Sequence, residues 1–349
     1  MDRVPIPVFL LSGFLGSGKT TLLNALLKAP AFANTAVVVN EFGEIGLDHL
    51  LIARGTDNVV LLEAGCLCCT IADSLHETLA DLNFRRVRGE VPAFERVVIE
   101  TTGLANPGPI LNTLLGHPLV TDHYRLEAVV VAVDAQHALS TLDVHPEVGR
   151  QIAVADRLIV TKGDIVAPSE ALMLQLDEIN AGAQRYDARD RASVLAAFEP
   201  SARHRLPSRF VAAAPYTAPV RGRLSAGAHD AHIRADTFVL SGSPTWAGVA
   251  AWWRLVSEIA GDRLLRCKGL LEIADVGHIV FIQGVQRVFH TPERLPGWPD
   301  SDHRSRIVCI TRDVDAAALR RALPALELAA GMSPELSHDA LETGKIRHE

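Results

Sequence analysis

The first half of the chain alternates short apolar runs with stretches whose apolar residues follow helical spacing. The runs predict strands at Ile6–Leu11, Thr35–Val39, Val59–Leu62, Val97–Ile99, Ala128–Val133 and Leu158–Val160. The helical stretches are Lys19–Lys28, Ala72–Arg86 and Pro168–Ile179, the last with a start signal at Ser169. Because continuous apolar strands separated by helices are typical of a parallel sheet covered on both faces, the pattern predicts an α/β domain with a mostly parallel sheet.

The pattern weakens between residues 187 and 234, where proline and glycine accumulate. The breakers are Pro200, Pro207, Pro215, Pro219, Gly222 and Gly227. This composition predicts a linker or irregular connection after a first domain at residues 1–186. His229 and His232 lie inside the connection, and we interpret them as solvated rather than metal-ligating.

The second half has a different pattern, with consecutive strands flanked by helices. Strands are predicted at Thr237–Leu240, Leu264–Ile273, His278–Gly284 and Ile307–Thr311, and helices at Thr245–Ile259 and Asp315–Leu323. This order predicts a smaller α+β domain at residues 235–330. Residues 331–349 form a polar tail.

Composition narrows the class of protein. The 349 residues are 48% hydrophobic and carry a net charge of -7 without a basic stripe, so we expect no nucleic-acid partner. There is no stretch of about 18 or more apolar residues, so we expect no membrane partner. Of five cysteines, three are clustered, which is unlike a disulfide framework and favours a cytoplasmic protein.

A phosphate-binding loop follows the first predicted strand and precedes the first predicted helix. Residues 13–20 match the pattern Gly-x-x-x-x-Gly-Lys-Thr. Backbone N–H groups of such a loop turn toward phosphate, Lys19 would reach the β- and γ-phosphates, and Thr20 would offer its hydroxyl to Mg²⁺. The predicted nucleotide contacts are Gly13, Gly16, Ser17, Gly18, Lys19, Thr20 and Thr21.

Two further segments complete a predicted GTP site. The strand Val97–Ile99 ends in Glu100, a second predicted Mg²⁺ ligand, and Gly103 follows as a predicted γ-phosphate sensor. We expect Lys19, Thr20, Glu100 and Gly103 to be the catalytic groups. Thr161, Lys162 and Asp164 are similar to the guanine-reading Asn-Lys-x-Asp element, with Thr161 in the place of Asn. A carboxylate at Asp164 would accept from guanine donors that adenine lacks.

A cluster of thiols lies at Cys66-Leu67-Cys68-Cys69, referred to below as the CxCC motif. Thiolates are preferred ligands of Zn²⁺, and the three cysteines supply at most three of its four ligands. The fourth candidates are Glu41, Glu44, Asp48, His49, His76 and water, and the sequence does not choose among them. Cys267 and Cys309 lie in apolar runs, where we interpret them as core residues.

Together these motifs resemble the CobW family of P-loop GTPases, whose members include zinc chaperones. The resemblance is carried by Gly13–Thr20, Asn40–Glu44, Gly65–Cys69, Glu100–Gly103 and Thr161–Asp164. It extends to Arg266–Leu270, Gln283–Gln286, Phe289-His290, Trp298-Pro299 and Ser305-Arg306 in the second half. Thr161 departs from the family pattern, and so does Asn106, where members often carry Asp.

The resemblance implies a slow GTPase that uses GTP and Mg²⁺ and binds Zn²⁺, or in some members Co²⁺, through the cysteine motif. It implies delivery of that metal to a client metalloprotein, with GTP state coupled to metal release. Residues 40–48 would be the first switch segment, with Glu41 and Glu44 between the nucleotide and the metal. The metal-site residues expected on this basis are Cys66, Cys68, Cys69, Glu41 and Glu44 for the cargo, and Thr20 and Glu100 for Mg²⁺.

Three other functions use the same residues. One is a GTPase that assembles cobalt enzymes or cobalamin, and another is a metal-buffering or sensing module with a structural nucleotide. The third is a redox switch at Cys66 and Cys68. The client protein and the native metal stay open, and so does assembly into a homo-oligomer.

Overall fold

The computed structural model of the chain describes residues 4–39, 60–63, 71–200 and 233–327. The chain divides into two compact units, Met1–Arg203 and His204–Glu349. Most of the predicted connection and the whole predicted polar tail at 331–349 lie outside the described residues. The exact domain boundaries given above stay a prediction.

A parallel sheet forms the centre of the first unit. Its strands are β1 (Ile6–Gly13), β2 (Thr35–Val39), β3 (Val60–Glu63), β4 (Arg96–Glu100), β5 (Tyr124–Asp134), β6 (Arg157–Thr161) and β7 (Gln184–Asp187). Within the described residues these seven strands pair in the order β3-β2-β4-β1-β5-β6-β7, every pair parallel. The predicted α/β class with a parallel sheet is therefore confirmed.

Helices connect these strands. They are α1 (Lys19–Leu27), α2 (Ile71–Arg88), α3 (Pro107–Gly116), α4 (Pro118–Thr121), α5 (Ala138–Val144), α6 (Pro146–Val154), α7 (Glu170–Asn180) and α8 (Arg191–Ala196), with a short 3₁₀ turn at Pro30–Phe32. Ser169 caps α7 as predicted, its hydroxyl accepting a hydrogen bond from the backbone N–H of Leu172 at 3.1 Å.

Both faces of the sheet are covered. On one face, Phe9 and Ala128 of the strands pack with Leu22 and Leu26 of α1 and with Phe198 just after α8. The alternate strand residues are buried as well, which is why β1 and β5 are apolar without a polar alternation. The packing of Phe198 assigns α8 and residues to 198 to the core of the first unit, although the sequence pattern assigned them to the connection at 187–234.

The carboxyl ends of β1 to β4 lie at one edge of the sheet. Val39 at the end of β2 is paired with Glu63 at the end of β3 and with Glu100 at the end of β4. Leu11 of β1 is paired with Glu100 on its other side. In open α/β sheets this edge is where ligands bind, so the register gathers the ends of the predicted functional segments there.

The second unit is an antiparallel sheet with helices packed on it. Its strands are β8 (Ile233–Val239), β9 (Leu264–Ile273), β10 (His278–Val285), β11 (Val288–Phe289), β12 (Glu293–Leu295) and β13 (Arg306–Arg312). In the described part of this unit the order is β11-β10-β9-β13-β8, with β12 paired to β10. The helices are α9 (Trp246–Ala260) and α10 (Ala316–Ala322), with 3₁₀ turns at Gly261–Arg263 and Leu323–Glu327.

The core of the second unit lies between this sheet and α9. Trp252 and Val256 of α9 pack with Leu271 of β9 and with Cys267 and Cys309. The two cysteines are cross-strand neighbours, fully buried, with Sγ atoms 3.9 Å apart. Their prediction as core residues is confirmed. The hydrogen bond from the Cys309 thiol to Cys267, together with burial, raises the pKa of the Cys309 thiol.

Among the residues that the structure describes, no helix has the length and apolar character needed to cross a membrane.

Candidate nucleotide and metal site

The loop between β1 and α1 has the backbone of a phosphate cradle. Gly13, Gly16 and Gly18 have φ of 141°, 69° and 91°, which L side chains rarely adopt. A Cβ added at Gly13 would lie 2.6 Å from the carbonyl oxygen of Ala132, so this position is closed to other residues by contact as well. Gly18 is the N-cap of α1, and the N-terminus of that helix opens onto the loop. This cradle fits a phosphate group.

Lys19 is buried beside the same loop. Its ammonium group donates to the carbonyl oxygens of Gly13 at 2.9 Å and Phe14 at 3.1 Å. These bonds hold the charged nitrogen against the backbone that would surround a phosphate. The side chain is 8% exposed, so its charge acts in a site of reduced water content.

Thr20 and Glu100 meet at the carboxyl edge of the sheet. The Thr20 hydroxyl donates to Oε1 of Glu100 at 3.1 Å, and Glu100 is 6% exposed at the end of β4. The two predicted Mg²⁺ ligands, 80 residues apart in sequence, therefore lie within hydrogen-bond distance of each other. A hydroxyl and a carboxylate are the ligand types that Mg²⁺ takes beside nucleotide phosphates.

Gly103 packs directly on the phosphate-binding loop. A Cβ added to it would lie 2.5 Å from the backbone nitrogen of Leu15 and 2.7 Å from its Cα. Upstream, Thr101 is fixed to β1, because its backbone N–H donates to Leu11 and its hydroxyl donates to the Ser12 hydroxyl at 3.1 Å. Asn106 caps α3 by accepting from the backbone N–H of Gly108.

Thr161 faces the phosphate-binding loop. Its hydroxyl lies 2.7 Å from the carbonyl oxygen of Ser17 and 3.2 Å from that of Val133, and the residue is 5% exposed. The side chain that stands in the place of Asn thus ties the end of β6 to the loop.

Lys162 is held by a carboxylate that the sequence motifs did not single out. Its φ is 57°, and its ammonium group donates to Oδ2 of Asp134 at 2.7 Å. The ring Nδ1 of His137 lies 3.0 Å from the same oxygen. Burial would raise the pKa of Asp134, but hydrogen bonds from Lys162 and His137 outweigh it and hold that pKa below its ordinary value. Asp134 is therefore an ionised partner that orients Lys162.

The remaining predicted nucleotide residues differ in exposure. Asp164 and Thr21 are exposed, whereas Ser17 is 2% exposed within the loop. The side chain of Arg189 lies beside Gly163 and forms an ion pair with Asp187, 2.6 Å between Nη2 and Oδ2. The Asp164 carboxylate is thus accessible to a ligand beside this ion pair.

The cargo-metal residues Cys66, Cys68, Cys69, Glu41 and Glu44 lie outside the described residues, as do Asp48 and His49. His76, the remaining candidate for the fourth ligand, is on α2, and its ring stacks on that of His117 at 4.1 Å between centroids. Among the described residues, no three side chains of His, Cys, Asp or Glu are grouped to hold a metal ion.

Sequence reasoning missed Asp134 and Gln151. Gln151 of α6 is 1% exposed, and its amide donates to the backbone carbonyl oxygens of Gly103 and Ala105. Asp134 carried a usable signal, because it is the last residue of an apolar strand and carboxyl ends of parallel strands line the ligand site. Gln151 carried none, since a single polar residue in a short helix is most often solvated.

The fold and this site define a P-loop GTPase domain followed by an antiparallel-sheet domain. The profile of the CobW/HypB/UreG nucleotide-binding domain matches residues 7–187. The profile of the cobalamin synthesis protein cobW C-terminal domain matches residues 233–327. The chain belongs to the CobW/HypB/UreG family, and the resemblance noted from the motifs is confirmed.

Relatives agree with this assignment. The chain is 33% identical over 325 residues to the zinc chaperone YjiA of Escherichia coli, covering 92% of this chain and 99% of the relative. It is 36% identical over 175 residues to the zinc-regulated GTPase metalloprotein activator 1 of Schizosaccharomyces pombe, covering 48% of this chain and 41% of the relative. The crystal structure of zinc-bound YjiA GTPase superposes with a TM-score of 0.66 at 27% identity, over 93% of this chain and 100% of that one.

Proposed function

We propose that this protein is a GTP-hydrolysing metallochaperone that takes Zn²⁺ as cargo at Cys66, Cys68 and Cys69 and delivers it to a client metalloprotein. The observation that carries the proposal is the register of β2, β3 and β4 at the carboxyl edge of the sheet. Val39, Glu63 and Glu100 are paired side by side there. The three residues after which these segments begin are therefore neighbours in the sheet.

The nucleotide half of the proposal is supported by the pairs at the phosphate-binding loop. Lys19 would bind the β- and γ-phosphates, and Asp164 would read the guanine base. Thr20 and Glu100 would hold Mg²⁺, which neutralises phosphate charge as it develops in hydrolysis. Gly103, packed against Leu15, would donate its backbone N–H to the γ-phosphate.

The proposal of a metal site is supported by the position of the CxCC motif relative to the strands of the sheet. The motif lies between the end of β3 at Glu63 and the start of α2 at Ile71. Glu63 is separated from Glu100 by one intervening strand, which is about 10 Å at the usual spacing of neighbouring strands. Residues 40–48, the proposed first switch, follow that intervening strand. The proposed first switch therefore begins at a strand, β2, that lies between the strand before the CxCC motif, β3, and the strand that ends in Glu100, β4.

This arrangement supports coupling between nucleotide and metal. In our proposal, the switch segments take one arrangement with GTP and another with GDP, and this difference changes the geometry of the thiols and of Glu41 and Glu44. Zinc affinity then differs between the two nucleotide states. The names of the relatives, a zinc chaperone and a zinc-regulated GTPase, support zinc as the cargo.

Metal analysis of purified protein tests the cargo site. We expect one Zn²⁺ per chain in the unaltered protein and its loss when Cys66, Cys68 and Cys69 are all changed to Ser. Cys267→Ser and Cys309→Ser form the matched control, because these thiols are buried in the second unit, and zinc content should stay the same.

Two outcomes would contradict the proposal. Undiminished zinc in the triple variant would exclude the CxCC motif as the site, and failure of the unaltered protein to hydrolyse GTP over several turnovers would exclude a GTPase cycle. Titration with Co²⁺ in the same experiment decides between zinc and cobalt as the cargo. Divalent cobalt ordinarily binds a given protein site more weakly than zinc, so binding of Co²⁺ tighter than this order predicts would favour cobalt.

A further inference from the structure

Gln151 of α6 hydrogen-bonds to the backbone of the segment that follows Glu100. Its side-chain Nε2 donates to the carbonyl oxygen of Gly103 at 3.0 Å and to that of Ala105 at 3.3 Å. The residue is 1% exposed. Two carbonyl acceptors require the amide NH₂ group to face them, because only that end of the side chain can donate.

One of these bonds is to Gly103, a position where close packing against Leu15 allows no residue other than glycine. Any Cβ at Gly103 would collide with the backbone of Leu15, so only glycine allows the segment to lie this close to the phosphate-binding loop. Glycine also has the greatest backbone freedom of all residues, which would let the segment move away from the loop. The bonds from Gln151 restrain the carbonyls of Gly103 and Ala105, and so limit that freedom.

Gln151 is close to the phosphate-binding loop as well. It lines a cavity of about 30 Å³ together with Phe14, Leu15 and Ser17 of the loop. Helix α6 therefore packs beside both the loop and the Gly103 segment. A side chain at this junction is placed to fix the distance between them.

We propose that Gln151 is a positioning residue that holds Gly103 where its backbone N–H meets the γ-phosphate. This inference rests on the proposed function, since it assumes that Gly103 recognises the γ-phosphate. Gln151 touches neither nucleotide nor metal in this account. We expect its effect only with a nucleotide that carries a γ-phosphate, because GDP lacks the group that the backbone N–H of Gly103 would contact.

The test is Gln151→Met, which keeps the length of the side chain and removes both hydrogen bonds. We expect affinity for a non-hydrolysable GTP analogue to fall about tenfold, as for the loss of two buried hydrogen bonds, while GDP affinity changes less than about twofold. Both affinities are measured by calorimetry with Mg²⁺. Gln151→Glu is the second variant, because at neutral pH it replaces the donor by a carboxylate, and the same selective loss is expected.

Asn180→Leu is the matched control. The Asn180 amide donates to the carbonyl oxygens of Ile152, Ala153 and Ala155 at the C-terminal end of α6, and these bonds do not involve the Gly103 segment. Asn180 is also buried, so the loss of its hydrogen bonds should lower stability and leave the ratio of the two nucleotide affinities unchanged.

A ratio of affinities that stays at the unaltered value in folded Gln151→Met would overturn this inference alone. An equal fall in GTP-analogue and GDP affinity would also overturn it, since that result indicates general destabilisation. If the unaltered protein binds the GTP analogue no more tightly than GDP, the γ-phosphate contributes nothing measurable to binding. The proposed function then fails together with the inference.

Discussion

Replacement of Thr161 by Val tests whether this residue ties the end of β6 to the phosphate-binding loop. The hydroxyl lies 2.7 Å from the carbonyl oxygen of Ser17 and is buried. Valine has the same shape and lacks the donor, so the change removes the hydrogen bond and leaves the cavity filled. The Ser17 carbonyl immediately precedes the N-cap Gly18, so the loop loses a restraint where α1 begins.

The magnitude follows from the burial. Loss of one buried hydrogen bond with an acceptor left behind costs about 1–2 kcal/mol. In a domain of this size such a loss lowers the melting temperature by about 2–8 °C. A loosened loop must be ordered again on binding, so GDP affinity should fall by up to about tenfold.

Differential scanning calorimetry and GDP titration measure the two effects. Thr161→Ser is the control, because it keeps the hydroxyl and should bind GDP nearly as the unaltered protein does. Unchanged GDP affinity and melting temperature in Thr161→Val would refute the reasoning, and so would equal losses in both variants.

Three other substitutions have defined outcomes. Glu100→Gln keeps an acceptor for Thr20 and removes the charge, so Mg²⁺-dependent GTP hydrolysis should fall at least about tenfold in a phosphate-release assay, with Mg²⁺-free GDP affinity preserved. Asp134→Asn should destabilise the protein in urea at neutral pH and less so as the pH falls through the folded-state pKa of Asp134, which lies below its ordinary value; an equal difference at all pH values would contradict this. Burial, with the charge of Arg266, lowers the pKa of His290 to about 4, so the unfolded chain takes up the proton first as pH falls. Stability should therefore drop by roughly 2 kcal/mol between pH 7 and 5 through this residue, and thermal melts of His290→Gln should lack that part of the drop.

The strands of the fold could be predicted because burial on both faces leaves an unbroken apolar run. Residues 128–133 are an example, and all of them are buried in β5. Strand β7 was missed because each of its residues is only half-buried at the edge of the sheet, where polar side chains are tolerated. Apolar periodicity is weak at such a position.

Several short helices were also missed, although three carried a local signal. Helices α3, α4 and α6 begin with Pro107, Pro118 and Pro146, and proline is favoured at the first position of a helix. Their lengths of 10, 4 and 9 residues are too short for helical periodicity to be distinct.

The candidate site could be predicted where a short sequence motif determines the backbone conformation of its own residues, as in residues 13–20. Partners distant in sequence could not be predicted. The hydrogen bond from Thr161 to Ser17 spans 144 residues and that from Gln151 to Gly103 spans 48, and each depends on which strands are neighbours. Strand order is set by tertiary packing, so no local pattern reports it.

The central claim is that the nucleotide state sets zinc affinity at the CxCC motif. Competition of the protein with a zinc chelator, in the presence of GDP or of a non-hydrolysable GTP analogue, measures the two affinities directly. We predict that they differ, and that Zn²⁺ changes the ratio of the two nucleotide affinities by the same factor, as linkage requires. Equal zinc affinities in the two nucleotide states would contradict the account.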